Sequence, residues 1–386
     1  MIKINDTKGL IRQQTQIIDS GISAGNALLF GDKNGITFEN YAGEADAEDH
    51  APVTADTIFH MYSMTKVMTV VCALSLWENG LLDLDAPVSE YIPEYAELSV
   101  CDNGNIRRAE KVMTVRHLFT MTSGLTYLTE CDPYIPDNFI KRTKRCDTVG
   151  FAKALASLPL MFEPGRQFKY GLSHDVLGAM IEIITGKTLD IVFEEKIFKP
   201  LNVTDSYFYQ KIPEEKVKRL AKNTAFDGEK YINIPLLDRP VPGVKINGND
   251  IFSGGSGLVC TARGYAAFLT EISNGGGRLL KPETIEMMTS PALTPEQRRF
   301  FNKKEFDRST FGSEHTFALG VRVQDKISIK RGGVIGEWGW SGALGTWFFV
   351  NPGGDWFLYL HQHSPAKHGE YITSLRKAYY DRREEQ

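Results

Sequence analysis

Ser63 and Lys66, three residues apart, have the residue types and the spacing of a nucleophile and its base. They open an apolar stretch that ends at Trp77, in which Lys66 is the only charged residue. Helical spacing puts both side chains on one face. Burial in such a helix disfavours the ammonium form of the lysine and leaves an amine that can accept the serine proton. Free N–H groups at the helix N-terminus could also stabilise a developing oxyanion.

Other serines match the same pattern or a related one. Ser364 and Ser374 each precede a lysine by three residues, but Pro365 interrupts the first pair and the second lies in a charged C-terminal helix. Ser23 lies in Gly-Ile-Ser-Ala-Gly, the nucleophile motif of α/β-hydrolases, which requires a strand before the serine and a helix after it. Here a predicted helix precedes Ser23 and a predicted strand follows it. Ser63 is therefore the preferred nucleophile, and the structural alternative for it is a helix-capping serine beside a lysine that extends to solvent.

Hydrophobic periodicity predicts strands at both ends of the chain and helices between them. The predicted strands are 26–30, 35–42, 317–324, 326–331, 345–351 and 355–361. The predicted helices are 6–20, 64–80, 113–121, 147–157, 173–186, 187–200 and 368–383. The simplest arrangement is a sheet built from both termini, flanked by helices, with a mostly helical region inserted.

Length and composition exclude several classes of protein. The 386 residues exceed what one hydrophobic core usually supports, which favours two structural units. A net charge of −4 gives no basic surface for nucleic acid or an anionic membrane. No apolar run reaches the roughly 18 residues of a transmembrane helix, and the first residues lack the apolar core of a secretory signal. The five cysteines are odd in number and lack C-x-x-C spacing, which predicts free thiols in a cytoplasmic protein.

Several segments occur in the order of motifs known from one superfamily. Ser63-Met-Thr-Lys66 resembles the first active-site motif of serine β-lactamases and penicillin-binding proteins, and the whole set is most similar to class C β-lactamases and family VIII carboxylesterases. The other matching segments are 81–88, 115–125, 162–170, 253–262 and 339–346. The resemblance covers roughly residues 20–365. Its ordered motifs are far more specific than the Ser-x-x-Lys pattern alone.

The resemblance implies roles for further residues. Tyr170 stands at the position of the second-motif tyrosine. Its phenolate, or a proton that it shares with Lys66, would deprotonate Ser63 and later protonate the leaving group. The oxyanion hole would be formed by the backbone N–H groups of Ser63 and Ala343.

Two motifs depart from the β-lactamase pattern. Leu172 replaces the asparagine of Tyr-x-Asn, and Trp340-Ser341-Gly342 replaces Lys-Thr-Gly. The missing amide would bind a β-lactam side chain, and the missing cation would attract a substrate carboxylate. A tryptophan offers an apolar stacking surface instead. Both changes resemble family VIII esterases, so we expect Leu172, Trp340, Ser341 and Gly342 to contact an ester substrate.

Asp175 and three histidines lie close to these motifs or to the predicted strands. Asp175 resembles an acidic residue common in this esterase subgroup, and it would either support the tyrosine–lysine pair or cap the helix at 173–186. His174, His361 and His363 could line the pocket or bind a metal. No further ligand at suitable spacing completes a metal site with them, which favours surface or core positions for these histidines.

The fold class implied is α/β (α+β), with the β-lactamase/transpeptidase-like fold: an antiparallel sheet flanked by helices plus a mostly helical inserted region. Residues 1–80 with 250–386 would form the sheet domain and 81–249 the helical domain, with the active site at their interface. The resemblance predicts a serine hydrolase that acts through a Ser63 acyl-enzyme on small-molecule esters or amides.

Three alternatives remain beside the carboxylesterase-like activity. The first is a β-lactamase or a D-alanyl-D-alanine carboxypeptidase or transpeptidase, and the second is a transacylase. The third is a non-catalytic binding protein that retains the fold. We expect no cofactor, no metal ion, and no nucleic-acid or membrane partner.

Overall fold

The computed structural model describes residues 7–102, 104–128, 135, 139, 146–235, 251–301, 314–327, 332–365 and 367–381. Its strands are β1 Gly25–Asp32, β2 Gly35–Asp46, β3 Ala51–Pro52, β4 Ile58–His60, β5 Ser99–Asp102, β6 Asn105–Arg108, β7 Ser206–Phe208, β8 Thr224–Phe226, β9 Tyr231–Asn233, β10 Leu258–Thr261, β11 His315–Phe317, β12 Arg322–Gln324, β13 Trp338–Ser341, β14 Trp347–Val350 and β15 Trp356–His361. Its α-helices are α1 Thr7–Asp19, α2 Thr65–Glu78, α3 Val115–Phe119, α4 Thr148–Leu155, α5 Ser173–Thr185, α6 Leu189–Phe193, α7 Lys199–Leu201, α8 Ala262–Ser273, α9 Pro282–Thr289, α10 Pro295–Phe301 and α11 His368–Tyr380.

The largest sheet combines strands from both ends of the chain, as the sequence predicts. Its order is β11-β12-β13-β14-β15-β1-β2-β3, and the paired strands are antiparallel. Strand β1 pairs with β15, so that Asn26 lies opposite His361. Every residue of β1 is buried, because helices cover both faces of the sheet at this point. This explains why the β1 sequence is a nearly continuous apolar run rather than an alternation.

The two faces of β1 belong to different hydrophobic clusters. Leu28 and Phe30 pack with residues of α1 and α11 on one face. Ala27 and Leu29 point to the other face, into the larger core that contains α2 and α8. Successive side chains of a strand point to opposite faces, which produces this division. The sheet therefore separates the C-terminal helix from the helix that follows Ser63.

A small sheet supports the start of α2. It has the order β4-β10-β7, and Val259 of β10 lies opposite His60 of β4. The backbone N–H of Met61 donates to the carbonyl oxygen of Leu258 at 2.9 Å. Helix α2 is buried on all sides from Thr65 to Leu76, as its continuous apolar sequence requires. Lys66 is thus carried into the interior by its helix.

The structure corrects one predicted strand. The segment 317–324 is two strands, β11 and β12, because the chain turns between them at Gly320, which has a φ of +81°. The turn is closed by the N–H of Ala318, which donates to the carbonyl oxygen of Val321 at 2.8 Å. Of the predicted strand 326–331, residues 326 and 327 are not in a strand and the rest lie outside the described residues. No helix in the described part of the chain is long and apolar enough to cross a membrane.

Candidate active site

Ser63 lies in the short 3₁₀ helix Tyr62–Met64, which leads directly into α2. The chain turns sharply here, and Tyr62 has a φ of +45°, a conformation that is costly for a residue with a side chain. The hydroxyl of Thr65 donates to the carbonyl oxygen of Tyr62 at 2.6 Å and stabilises the turn. Ser63 is consequently held at the N-terminus of α2, as the sequence predicts.

Lys66 is 1% exposed and reaches three groups of the site. Its Nζ lies 3.5 Å from the Oγ of Ser63. The same nitrogen donates to the carbonyl oxygen of Gly255 at 2.8 Å. It also lies 4.7 Å from the centre of the Tyr170 ring, in the geometry of a cation–π contact. The structure therefore brings together Ser63, Lys66 and Tyr170, which come from distant parts of the sequence.

Asp175 fixes the loop that holds Lys66. The hydroxyl of Ser253 donates to Oδ1 of Asp175 at 2.5 Å, and the N–H of Gly255 donates to the same oxygen at 3.2 Å. Burial raises the pKa of Asp175, while the charge of Lys66 and these hydrogen bonds act in the opposite direction. The N-cap residue of α5 is Leu172, so Asp175 does not cap that helix. Asp175 accepts from the N–H of Gly255, whose carbonyl oxygen accepts from Lys66, and its support of the tyrosine–lysine pair stays a prediction.

Tyr170 lies in the loop before α5, and its hydroxyl is held by Trp340. The indole Nε1–H of Trp340 donates to the Tyr170 hydroxyl at 3.1 Å. Trp340 is only 1% exposed, and it also meets the ring of Phe317 edge-on at 5.2 Å. The sequence suggested that Trp340 would offer a stacking surface to the substrate. The structure instead directs its polar atom at Tyr170, and substrate contact stays a prediction for Trp340.

Tyr127 is a residue of this site that the sequence analysis missed. Its side chain lies close to both Tyr170 and Ser63. The rings of Tyr127 and Tyr170 meet edge-on, with centres 5.8 Å apart. A Cβ atom added to Gly171 would lie 2.6 Å from the Cα of Thr126, so the two backbones touch here. That contact places the two tyrosines side by side, and the only sequence signal was the position of Tyr127 just after the motif at 115–125.

The third motif runs beside the turn at Ser63. A Cβ atom on Gly342 would lie 2.6 Å from the carbonyl oxygen of Met61, so only glycine fits there. Ser341 is half-buried and Ala343 is exposed. Within the described ranges, neither the backbone N–H of Ser63 nor that of Ala343 donates to a protein acceptor. The oxyanion hole formed by these two N–H groups stays a prediction.

The turn after Gly342 is held from below by the C-terminal helix. The N–H of Gly342 donates to the carbonyl oxygen of Thr346 at 2.7 Å, and the hydroxyl of Tyr371 donates to that of Gly345 at 2.8 Å. Gly345 has a φ of +109°, and a Cβ atom there would lie 1.5 Å from Nε2 of His361. His361 therefore packs beneath the turn rather than in the substrate pocket.

The other singled-out residues are buried around the site. Nε2 of His174 lies 3.4 Å from the carbonyl oxygen of Phe119, and Nδ1 of His363 lies 3.1 Å from the hydroxyl of Thr224. Over the described residues, no group of three His, Cys, Asp or Glu side chains is placed to hold a metal ion. Leu172 is 2% exposed. Its contact with substrate, like that of Ser341 and Gly342, stays a prediction.

Acidification is expected to destabilise the fold through buried histidines. Burial lowers the pKa of His60 to about 4 and that of His174 to about 3, whereas a histidine in the unfolded chain titrates near 6.5. Between those values the unfolded chain binds more protons, so the free energy of unfolding falls as the pH falls. Each group contributes up to about 1.4 kcal/mol per pH unit in its window. Urea unfolding between pH 7 and pH 4 measures this dependence, and H174Q should reduce its slope. An unchanged slope in H174Q would contradict the assignment of this pH dependence to His174.

Comparison with known proteins decides the family. The family model described as Beta-lactamase matches residues 11–376. The chain belongs to the Beta-lactamase family. The solved structure of EstCE1, described as a hydrolase with promiscuous acyltransferase activity, superposes on this family member with a TM-score of 0.78. The two chains are 23% identical, and the alignment covers 97% of this chain and 98% of the other, which shows a common fold.

Two curated relatives have names that describe an activity. Lovastatin esterase from Penicillium rubens is 28% identical over 365 residues, which are 86% of this chain and 86% of the relative. Monacolin J acid methylbutanoyltransferase from Aspergillus terreus is 30% identical over 262 residues, covering 65% of this chain and 61% of the relative. The family, the fold and the class of enzyme predicted from the sequence, a β-lactamase-related serine hydrolase, are thereby confirmed.

Proposed function

We propose that this serine hydrolase cleaves small-molecule esters through an acyl-enzyme on Ser63. The observation that carries the proposal is the contact of the Ser63 hydroxyl with Lys66 Nζ at 3.5 Å. The ring of Tyr170 lies 4.7 Å from the same nitrogen, and Tyr127 lies close to Ser63. A serine with basic and phenolic partners at the start of a helix is an activated nucleophile.

The proposed reaction has two stages. Ser63 Oγ attacks the ester carbonyl while its proton passes to the tyrosine–lysine group, and the backbone N–H groups of Ser63 and Ala343 bind the oxyanion. Collapse of the tetrahedral intermediate breaks the bond to the alcohol, which leaves with that proton. Water then attacks the acyl-enzyme, and the acid product leaves Ser63 free. We also propose that the site lies between a sheet domain, 1–80 with 250–386, and a helical domain, 81–249.

The chemistry of β13 supports an ester rather than a penicillin as substrate. Trp338-Gly-Trp-Ser341 supplies no cation for a substrate carboxylate, and the Trp340 N–H is engaged by Tyr170. Leu172 supplies no amide for a β-lactam side chain. The name of lovastatin esterase agrees with this preference. A second candidate is transfer of the acyl group to an alcohol, which the name of the methylbutanoyltransferase supports, and which differs only in the acceptor that attacks the acyl-enzyme.

A panel of substrates tests this proposal on a single preparation. A short p-nitrophenyl ester, nitrocefin and a D-alanyl-D-alanine peptide are assayed together, and a fluorophosphonate probe is mapped by mass spectrometry. We expect the ester to have the highest kcat/KM and the probe to label Ser63. A higher kcat/KM for nitrocefin or for the peptide would favour the first alternative, and absence of labelling would favour a binding protein. An added alcohol that yields a new ester identifies acyl transfer.

The cellular location is a separate proposal. We propose that the protein is cytoplasmic, on the basis of the odd number and the spacing of its cysteines. Fractionation of cells that express the tagged protein tests it, and recovery from a secreted fraction would contradict it.

A further inference from the structure

The loop that binds the amine of Lys66 is rich in glycine, so contacts from outside must fix its conformation. Its sequence, Ser253-Gly-Gly-Ser-Gly257, contains three glycines, and glycine leaves the backbone unusually free. One side of the loop rests on α5. A Cβ atom on Gly254 would lie 2.4 Å from the carbonyl oxygen of His174, and one on Gly255 would lie 2.5 Å from Oδ2 of Asp175. Only glycine allows so close an approach.

Thr69 attaches the loop to α2 on its other side. It follows Lys66 by three residues, so the two side chains lie on the same face of the helix. The Thr69 hydroxyl donates to the carbonyl oxygen of Gly254 at 2.7 Å, and Lys66 Nζ donates to that of Gly255 at 2.8 Å. Two successive carbonyls of the loop are thus bound by two polar residues of one helix face. Together these bonds fix the register of the loop against α2.

The Thr69 hydroxyl has a second acceptor within reach, on its own helix. It lies 3.3 Å from the carbonyl oxygen of Thr65, which is the bond that a threonine inside a helix often makes. A hydroxyl has only one proton to donate. The shorter distance, 2.7 Å, identifies Gly254 as the main acceptor. Thr69 is fully buried, so water does not compete for this bond.

We propose that Thr69 is a positioning residue for Lys66. By holding Gly254, it directs the carbonyl oxygen of Gly255 at Lys66 Nζ and keeps that nitrogen near the Ser63 hydroxyl, which lies 3.5 Å away. A lysine carries its amine on a flexible four-carbon stem, so the place of the amine depends on what it binds. This inference rests on the proposed function of Ser63 as the nucleophile. Thr69 acts through Lys66 and transfers no proton itself.

The substitution Thr69→Val removes the hydroxyl and keeps the branched shape of the side chain. A displacement of about 1 Å in a catalytic group can lower the rate by about 10². We expect kcat for a p-nitrophenyl ester to fall at least about tenfold, with little change in KM. Thr69→Ser retains a hydroxyl and should keep kcat within about threefold of the wild type. The matched control is Thr185→Val, because the Thr185 hydroxyl donates to the carbonyl oxygen of Ile181 within α5 at 2.7 Å; it should keep its kcat.

Combining Thr69→Val with Lys66→Met separates positioning from a general structural effect. Residues that act through one group are not additive, so the loss of Thr69 should have no further effect once the amine is absent. The double variant should therefore have the kcat of Lys66→Met alone. A fall in kcat by the same factor in both backgrounds would overturn the proposal. Wild-type kcat in Thr69→Val would do so too, as would a Thr69→Ser variant as slow as Thr69→Val.

Two further measurements keep the result interpretable. If Thr69→Val does not fold, Thr69→Ala removes the same hydroxyl without placing a methyl group against the Gly254 carbonyl, and wild-type kcat in that variant would contradict the positioning role. Full turnover in Ser63→Ala would instead refute the proposed function itself. An enzyme that depends on Ser63 but tolerates Thr69→Val refutes the role of Thr69 alone.

Discussion

Replacing Ser63 by alanine is expected to reduce turnover of a short p-nitrophenyl ester by at least about a thousandfold. The Oγ atom is the proposed nucleophile, and water at the same position lacks the covalent route through an acyl-enzyme. Ser63 is half-buried, so the protein should fold normally with alanine at this position. The loss should therefore lie in kcat, and the fluorophosphonate probe should no longer label the protein.

The chain contains a matched control for this experiment. Ser374 has the same Ser-x-x-Lys spacing, with Lys377, on the C-terminal helix α11. Its hydroxyl donates to the carbonyl oxygen of Tyr371 at 2.9 Å and has no part in the site. Ser374→Ala should retain wild-type turnover. Equal activities of the two alanine variants would remove Ser63 from the mechanism.

Lys66→Met is expected to lower kcat by roughly 10² to 10⁴, the usual effect of losing a proton-transfer group. Methionine is unbranched and flexible, so it can fill the space of the buried stem. The carbonyl oxygen of Gly255 loses its partner at 2.8 Å, and an unsatisfied buried acceptor costs about 1 to 3 kcal/mol. Stability should thus fall modestly while catalysis falls severely.

The pKa of Asp175 provides a second measurement for the Lys66→Met variant. The charge of Lys66 opposes the rise in pKa that burial imposes on Asp175. In Lys66→Met the pKa of that carboxyl should rise further, which titration by NMR can follow. Lys377→Met is the control, because Lys377 is exposed on α11. A kcat close to that of the wild type in Lys66→Met would contradict the proposed base.

The sequence predicted the parts of the site that local patterns specify. An apolar helix behind Lys66 selected one Ser-x-x-Lys pair from three, and the order of motifs identified Tyr170. The strands at 26–30 and 355–361 were correctly predicted because continuous apolar runs with turn residues between them leave few alternatives. The broken strand at 317–324 was missed because Gly320 turns the chain within an otherwise apolar run.

Contacts between distant segments could not be derived in this way. Tyr127 reaches Ser63 and Tyr170 because the chain at Thr126 touches Gly171, a contact that no local pattern encodes. The indole of Trp340 could have faced the substrate or the tyrosine, because motif identity does not define the direction of a polar atom. The sequence likewise does not decide whether Asp175, in the first turn of α5, caps that helix or supports the tyrosine–lysine pair.

The pairing of β1 with β15 also affects the synthesis of the protein. Asn26 and His361 are neighbours in the sheet, so the central strand pair can form only after almost the whole chain has left the ribosome. Until then the apolar strand β1 lacks one of its partners and presents an open edge that can join other chains. Contacts between such distant residues also slow folding. The nascent enzyme is therefore incomplete until its C-terminal strands are made, and it is most exposed to association with other chains during that interval.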